Sequence, residues 1–230
     1  MKAPFDPRVP LLLLLSVTTG LVDAASVLGL GKVFTANMTG NVVFLGFAAS
    51  GAPGFKILPF VAAIVSFMLG ALVAGRTGKA HIGRPERRWL MTSAIVETAL
   101  LWLAAVLALG FDVALQAPEG RLFAIIALTG VSMGYRNATI RQLKVADLTT
   151  TVLTLTLTGL SADSSAAGGV NPNWARRIGA VVAIFLGAAM GAWLLLNVGL
   201  AAPLAFAGVL VLFGTLACTL HSASKRIVGT

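Results

Sequence analysis

The sequence predicts an all-α integral membrane protein: a single membrane domain over residues 1–230, with about six transmembrane helices in a 3+3 inverted repeat containing interrupted or re-entrant segments. Three observations predict it. The first is composition: 57% of the residues are hydrophobic, 11% are charged and the mean hydropathy is +0.92. A soluble domain carries about 25% charged residues and could not cover its surface with so few. The second is where the net charge of +9 lies. Lys and Arg fall mostly in short loops and at the two ends, the pattern that orients membrane helices rather than one that binds nucleic acid. The third is self-similarity between two long apolar regions, about 9–50 and 121–160.

Taken in order, "MKAPFDPRVPLLLLLSV" has the basic start and Leu run of a signal peptide. The apolar stretch continues past a signal core and reaches Asp23, so it reads as an uncleaved first span. The region 9–50 is too long for one crossing of about 20 residues and is broken by Gly, Asn, Asp and Thr. It is either two crossings or one crossing plus a re-entrant or broken segment. Apolar segments over about 57–75 and 89–110 complete a first half, 9–110. The region 121–160 poses the same choice, and segments over about 177–198 and 200–220 complete a second half, 121–220.

Charge favours one crossing per long region. Lys2 and Arg8, the loop with Arg76, Lys79, Arg84, Arg87 and Arg88, Arg176 with Arg177, and Lys225 with Arg226 then share the cytoplasmic side. Asp112 and Glu119 lie opposite. Two crossings per long region would give eight spans and separate Arg176 and Arg177 from the five-positive loop.

The halves match in detail. Gly20, Asp23 and Ala24 correspond to Gly134, Asn137 and Ala138. Lys32-Val33 corresponds to Lys144-Val145, and Thr39 to Thr151. The following segments share "SFMLGALVAG" against "AIFLGAAMGA". Inverted repeats with broken helices characterise secondary transporters, whose sites lie at the repeat interface.

The blocks "GLVDAASVLGLGKVFTANMTGNVV" and "GYRNATIRQLKVADLTTTVLTLTLTGL" resemble those of the YoaK-like bacterial membrane proteins, the domain-of-unknown-function family 1275. The resemblance runs from about Thr18 to the last helix. It implies a multi-pass protein of the bacterial inner (cytoplasmic) membrane, both termini cytoplasmic, and no settled activity. In the family the second block often reads Gln-Asn-Ala; here it reads Arg136-Asn137-Ala138.

Several residues are candidates for a substrate or ion path. Asp23 sits about 14 residues into the first span, near the bilayer midplane, where an acid is costly and functional by default. It is a protonatable or ion-coordinating carboxylate, or a structural acid bonded to a neighbour. Glu97, well inside its span, is the second proton-carrying candidate. Asn37, Thr39 and Asn41 follow the Gly29 and Gly31 break, where they line a wet cavity or satisfy freed backbone. Asp147, Thr151, Thr154 and Thr158 share one helical face. Arg136, Arg141 and Lys144 cluster at the second break, as anion ligands, counter-ions or snorkelling side chains. Gly187, Gly191, Ala71 and Gly75 read as small-residue helix contacts.

Walker A, HExxH, GxSxG and Cys/His metal spacings are absent, so no catalytic residue, metal or cofactor is expected and the chain reads as a non-enzyme. Cys218 reads as a buried apolar residue and His81 as a solvated one. The leading function is a small secondary transporter or permease for a small solute, with proton coupling through Asp23 and Glu97; a non-transporting scaffold or partner subunit and a passive channel are the alternatives. Expected partners are the lipid bilayer, a small solute or ion and a second copy in a homodimer, with no nucleic acid.

Overall fold

A computed structural model describes residues 6–143, 153–220 and Val228. Lys2, Lys144, Val145, Asp147, Thr151, His221, Lys225 and Arg226 lie outside the described residues. The described chain is helical, its one β feature being an isolated bridge between Asp112 and Ala117. The helices are α1 (Arg8–Gly29), α2 (Met38–Ala49), α3 (Ile57–Ala80), α4 (Glu86–Ala108), α5 (Glu119–Leu143), α6 (Leu153–Ala162), α7 (Trp174–Asn197) and α8 (Ala201–Leu220). A 3₁₀ turn spans Ser165–Ala167.

Five of these, α1, α3, α4, α7 and α8, are long and apolar enough to cross a membrane. The protein is therefore a multi-pass membrane protein. α5 is as long, at 25 residues, but carries Glu119, Arg121, Arg136 and Arg141 and is less apolar. Of these four charges Arg136 alone is buried, together with Thr129, Ser132 and Thr139, while Glu119, Arg121 and Arg141 are exposed near the helix ends.

The first long apolar region divides into α1, a non-helical connection and α2. The 12 residues of α2 reach about 18 Å at 1.5 Å each, short of a hydrocarbon core of about 30 Å. α1 stops because Gly31 and Lys32 turn left-handed, at φ 80° and 64°. The amides of Leu30 and Lys32 then bond the carbonyls of Ser26 and Val27, at 2.9 and 3.1 Å, which closes the helix end.

Packing of the long helices follows small residues. A Cβ on Gly20 would meet the Ile184 carbonyl oxygen of α7, and one on Gly187 would meet the Val17 carbonyl oxygen of α1. On the other side of the bundle, a Cβ on Gly134 would meet the Phe67 carbonyl oxygen of α3, and one on Gly70 the Val131 carbonyl oxygen of α5. The atoms met are backbone, so α1 lies on α7 and α5 on α3 at a separation only glycine permits. Gly187 and Gly191 are buried contacts. Ala71 and Gly75 are not: a Cβ on Gly75 would meet nothing, and the buried stripe of α3 is Ser66, Gly70, Ala74 and Gly78. Small residues on both sides of that stripe hid its register by one position.

α1 also packs on α8, and α5 on α4; α2 lies against α3 and α6 against α7. The α4–α8 seam joins these two groups. It is pinned by Thr98 Oγ1 donating to the Gly208 carbonyl and Trp102 Nε1 donating to the Ala205 carbonyl, both at 3.2 Å. Large apolar side chains such as Met68, Phe185 and Phe213 are exposed on the outside of the bundle, where lipid chains would cover them.

Candidate functional site

Where α1, α4 and α5 meet, the chain buries a charge pair. Arg136 on α5 is 2% exposed and Glu97 on α4 is 4% exposed. Arg136 Nε donates to Glu97 Oε1 at 2.6 Å, and Nη2 donates to the same oxygen. Nη1 turns to α1, donating to the Leu15 carbonyl at 3.1 Å and to Thr19 Oγ1 at 3.2 Å. The Thr19 hydroxyl in turn donates to the Leu15 carbonyl at 2.9 Å. A guanidinium can be held in so buried a place only because its fork is occupied on both sides.

Asp23 lies one turn beyond Thr19 on α1, half-buried and within electrostatic reach of Arg136. Its carboxylate faces the amides of Thr35 and Ala36 in the connection after α1, and Oδ1 accepts from the Ala36 N–H at 3.0 Å. An intramembrane carboxylate thus holds the broken segment against the helix it left. Of the sequence-nominated residues, Glu97 and Arg136 therefore form one bonded pair, and Asp23 lies within electrostatic reach of it.

Asn41 does something narrower. It is fully buried, its Oδ1 accepts from the Phe34 N–H at 2.9 Å and its Nδ2 donates to the Phe34 carbonyl at 2.5 Å. One side-chain amide pairs both backbone polar groups of Phe34 in the break. Asn37 and Thr39 are exposed at the start of α2, away from the charge pair's interior, and Asn37 makes no capping bond. Asn137, the counterpart of Asp23, is half-buried and donates to the Met133 carbonyl at 2.8 Å. Asp147 and Thr151 lie outside the described residues. Arg141 is exposed.

Sequence reasoning missed four participants: Thr19, Thr35, Ser93 and Thr139. Each is buried, and the hydroxyls of Thr35, Ser93 and Thr139 have no hydrogen-bond partner among the described residues. Helical spacing was the available signal. Thr19 is four residues before Asp23, Ser93 four before Glu97 and Thr139 three after Arg136.

Residues 11–217 match the family described as a protein of unknown function, DUF1275. The chain is 34% identical over 158 residues to the UPF0700 transmembrane protein YoaK of Bacillus subtilis (strain 168), covering 69% of this chain and 68% of that protein. No solved structure matches. The chain belongs to the DUF1275 family.

Proposed function

We propose that this member of the family is a small secondary transporter or permease for a small solute, coupled to protons through Glu97 and Asp23, and not an enzyme. It is inserted in the bacterial inner membrane with both termini cytoplasmic. In this reading α5 is the sixth crossing, α2 and α6 are the broken segments, and the chain is two inverted halves, α1–α4 and α5–α8.

The observation that carries the reading is the buried Glu97–Arg136 pair with Asp23 beside it, at the junction of the two halves. Ionisable groups at that depth are expensive and mark transport paths more often than they mark packing. The repeat draws support from the glycine contacts. Gly20 against Ile184 and Gly187 against Val17 reappear as Gly134 against Phe67 and Gly70 against Val131. The long, short, long, long order of helices also recurs. The moving bodies would then be the two packed groups, each containing the first helix of the other half, rather than the two sequence halves themselves.

The test is a thermal-shift screen of purified protein in detergent, over metabolites and ions at two pH values, with Asp23→Asn alongside. A ligand at 100 times its Kd should stabilise by about 2.7 kcal/mol. A hit weakened by Asp23→Asn would lead directly to flux assays in proteoliposomes. A non-transporting scaffold is the second reading, and Asn41 favours it, since its amide is spent on Phe34 and Met38 of its own segment. Silence across the screen, with Asp23→Asn melting far below the native protein at every pH, would put the scaffold first.

A further inference from the structure

A small cavity lies beside the charge pair. Its volume is about 20 Å³, and its polar lining is Glu97, Arg136, Ser93, Thr139 and Thr215. Ser93 is one turn before Glu97 on α4, and Thr139 nearly one turn after Arg136 on the antiparallel α5. Both displacements run toward the end of the bundle where α1 starts and α8 ends, the end that carries the basic 76–88 loop.

The two hydroxyls behave differently from most of their kind in this protein. Ser16, Thr18, Thr19 and Thr129 each donate back to a carbonyl three or four residues earlier in their own helix. Ser93 and Thr139, 6% and 5% exposed, make no hydrogen bond among the described residues. An unpaired buried hydroxyl costs free energy, on the order of 1–3 kcal/mol each. Glu97 adds an acceptor, because both Arg136 bonds fall on Oε1 and Oε2 takes none among the described residues. One water needs roughly 10–15 Å³ and two to four polar partners. The cavity supplies both.

We propose that this cavity is a binding site for a single water, held by Ser93, Thr139 and Glu97, and that it is the route by which Glu97 exchanges protons with the basic-loop side of the membrane. The proton half of this rests on the transporter reading; the water half does not. In the exchange, a hydronium in the site gives one proton to Glu97 Oε2. The O–H bond of the hydronium breaks, the new O–H forms on the carboxyl group and a neutral water stays behind. Glu97 becomes neutral, and Arg136 keeps its bonds to Leu15 and Thr19. The charged groups around Glu97 among the described residues are Arg136 on α5 and, beyond it, Asp23 on α1. α8 presents no charged side chain to it over Ala201–Leu220, and its titratable group is Cys218. Ser93 and Thr139 are positioning residues for the water.

The experiment is infrared spectroscopy of the full-length protein in lipid, comparing ordinary water with oxygen-18 water. The native protein should show an isotope-sensitive O–H stretch of a bound water. Ser93→Ala/Thr139→Val should lose it. Ser132→Ala, which removes another unpartnered buried hydroxyl outside the cavity lining, should keep it. If the double variant fails to fold, Ser93→Ala and Thr139→Val singly should each shift the band. No band in the native protein, or a band indifferent to these changes, overturns the water site.

The second readout is hydrogen–deuterium exchange at the Glu97 carboxyl, followed at a pH low enough for its protonated C=O band to be present. Its band is assigned by its loss in Glu97→Gln/Arg136→Gln, where both charges are removed together. The hydroxyl variants should slow exchange by about tenfold or more, given that a placed proton-transfer group is worth about 10²–10⁴-fold. Unchanged exchange overturns the proton route. A water band in a protein that moves no solute would retire the transporter reading and leave the water site standing.

Discussion

Glu97→Gln is the sharpest perturbation available, because the charge it strands has nowhere to go. Arg136 is 2% exposed and makes four hydrogen bonds, two of them to Glu97 Oε1. The neutral amide can still accept one bond but leaves the guanidinium without a counter-charge in the bundle interior. Removing one partner of a buried pair typically costs about 3–5 kcal/mol. Two hydrogen bonds to a charged group, at about 1.5–3 kcal/mol each, give a similar figure independently. At roughly 2–4 °C per kcal/mol for a chain of this size, Tm should fall by about 6–20 °C.

Arg136→Gln strands Glu97 instead and should cost less, since a buried carboxyl can take up a proton and become neutral. The double variant Glu97→Gln/Arg136→Gln carries no charge and can pair amide with amide, so it should melt above either single variant. The assay is thermal unfolding of all four proteins in one detergent, read as a double-mutant cycle. The expected coupling is at least about 2 kcal/mol. Additivity within about 0.5 kcal/mol would refute the reasoning, because it would mean that neither charge depends on the other.

The remaining predictions concern the packing, the break and the topology. Gly20→Ala and Gly134→Ala should each destabilise by about 1–3 kcal/mol, as overpacking does, whereas Gly46→Ala and Gly75→Ala, with open space around them, should leave Tm unchanged in the same melts. Asn41→Ala unpairs the N–H and the C=O of half-buried Phe34 and should cost about 1–3 kcal/mol, with limited proteolysis showing earlier cleavage between residues 30 and 37; Thr39→Ala, exposed, should stay within about 0.5 kcal/mol. Asp23→Asn keeps an acceptor for the Ala36 N–H, so it should melt close to the native protein while abolishing any proton-coupled flux, and Asp23→Ala should lose both. In a Cys218→Ala background, a membrane-impermeant maleimide added to intact cells should label Leu115→Cys and should reach Val170→Cys only after permeabilisation; both positions are well exposed, at 78% and 93%. Labelling of both from the same side would mean that the chain between them crosses an even number of times, against the six-crossing reading.

Much of this was written in the sequence, and the reasons are physical. The four uninterrupted apolar segments emerge as α3, α4, α7 and α8 within a few residues of their expected ends, because lipid demands both length and hydrophobicity of a span. The Asp23 and Glu97 carboxylates stood out for the same reason in reverse. Their partners did not stand out. Nothing local in Glu97 says that Arg136, 39 positions later, will bond it. Arg136 read equally well as a snorkelling interface residue until α5 turned it inward. Asn41 could have faced a cavity or the backbone, and only the path of the connection through Phe34 decided for the backbone. The α3 stripe was misplaced by one residue because Gly70, Ala71, Ala74 and Gly75 are all small, and only the neighbouring helix distinguishes them.

The fork geometry of Arg136 bears on how a proton could drive motion. Nε and Nη2 are committed to Glu97, on α4, within the group that contains α5 itself. Nη1 is committed to Leu15 and Thr19 on α1, in the other group. Glu97 therefore holds the cation by charge, whereas α1 holds it by a carbonyl and a hydroxyl. Neutralising Glu97 weakens the first hold and leaves the second intact, and Asp23 then remains the near negative charge. A single protonation thus shifts the balance of one buried cation from α4 toward α1, across the boundary that would have to rearrange for alternating access. A ligand or proton moves a two-state equilibrium only through such a difference in how it interacts with the two states. In the proposed transporter, that difference resides in Glu97, and Asp23 determines where the cation's attraction goes once Glu97 is neutral.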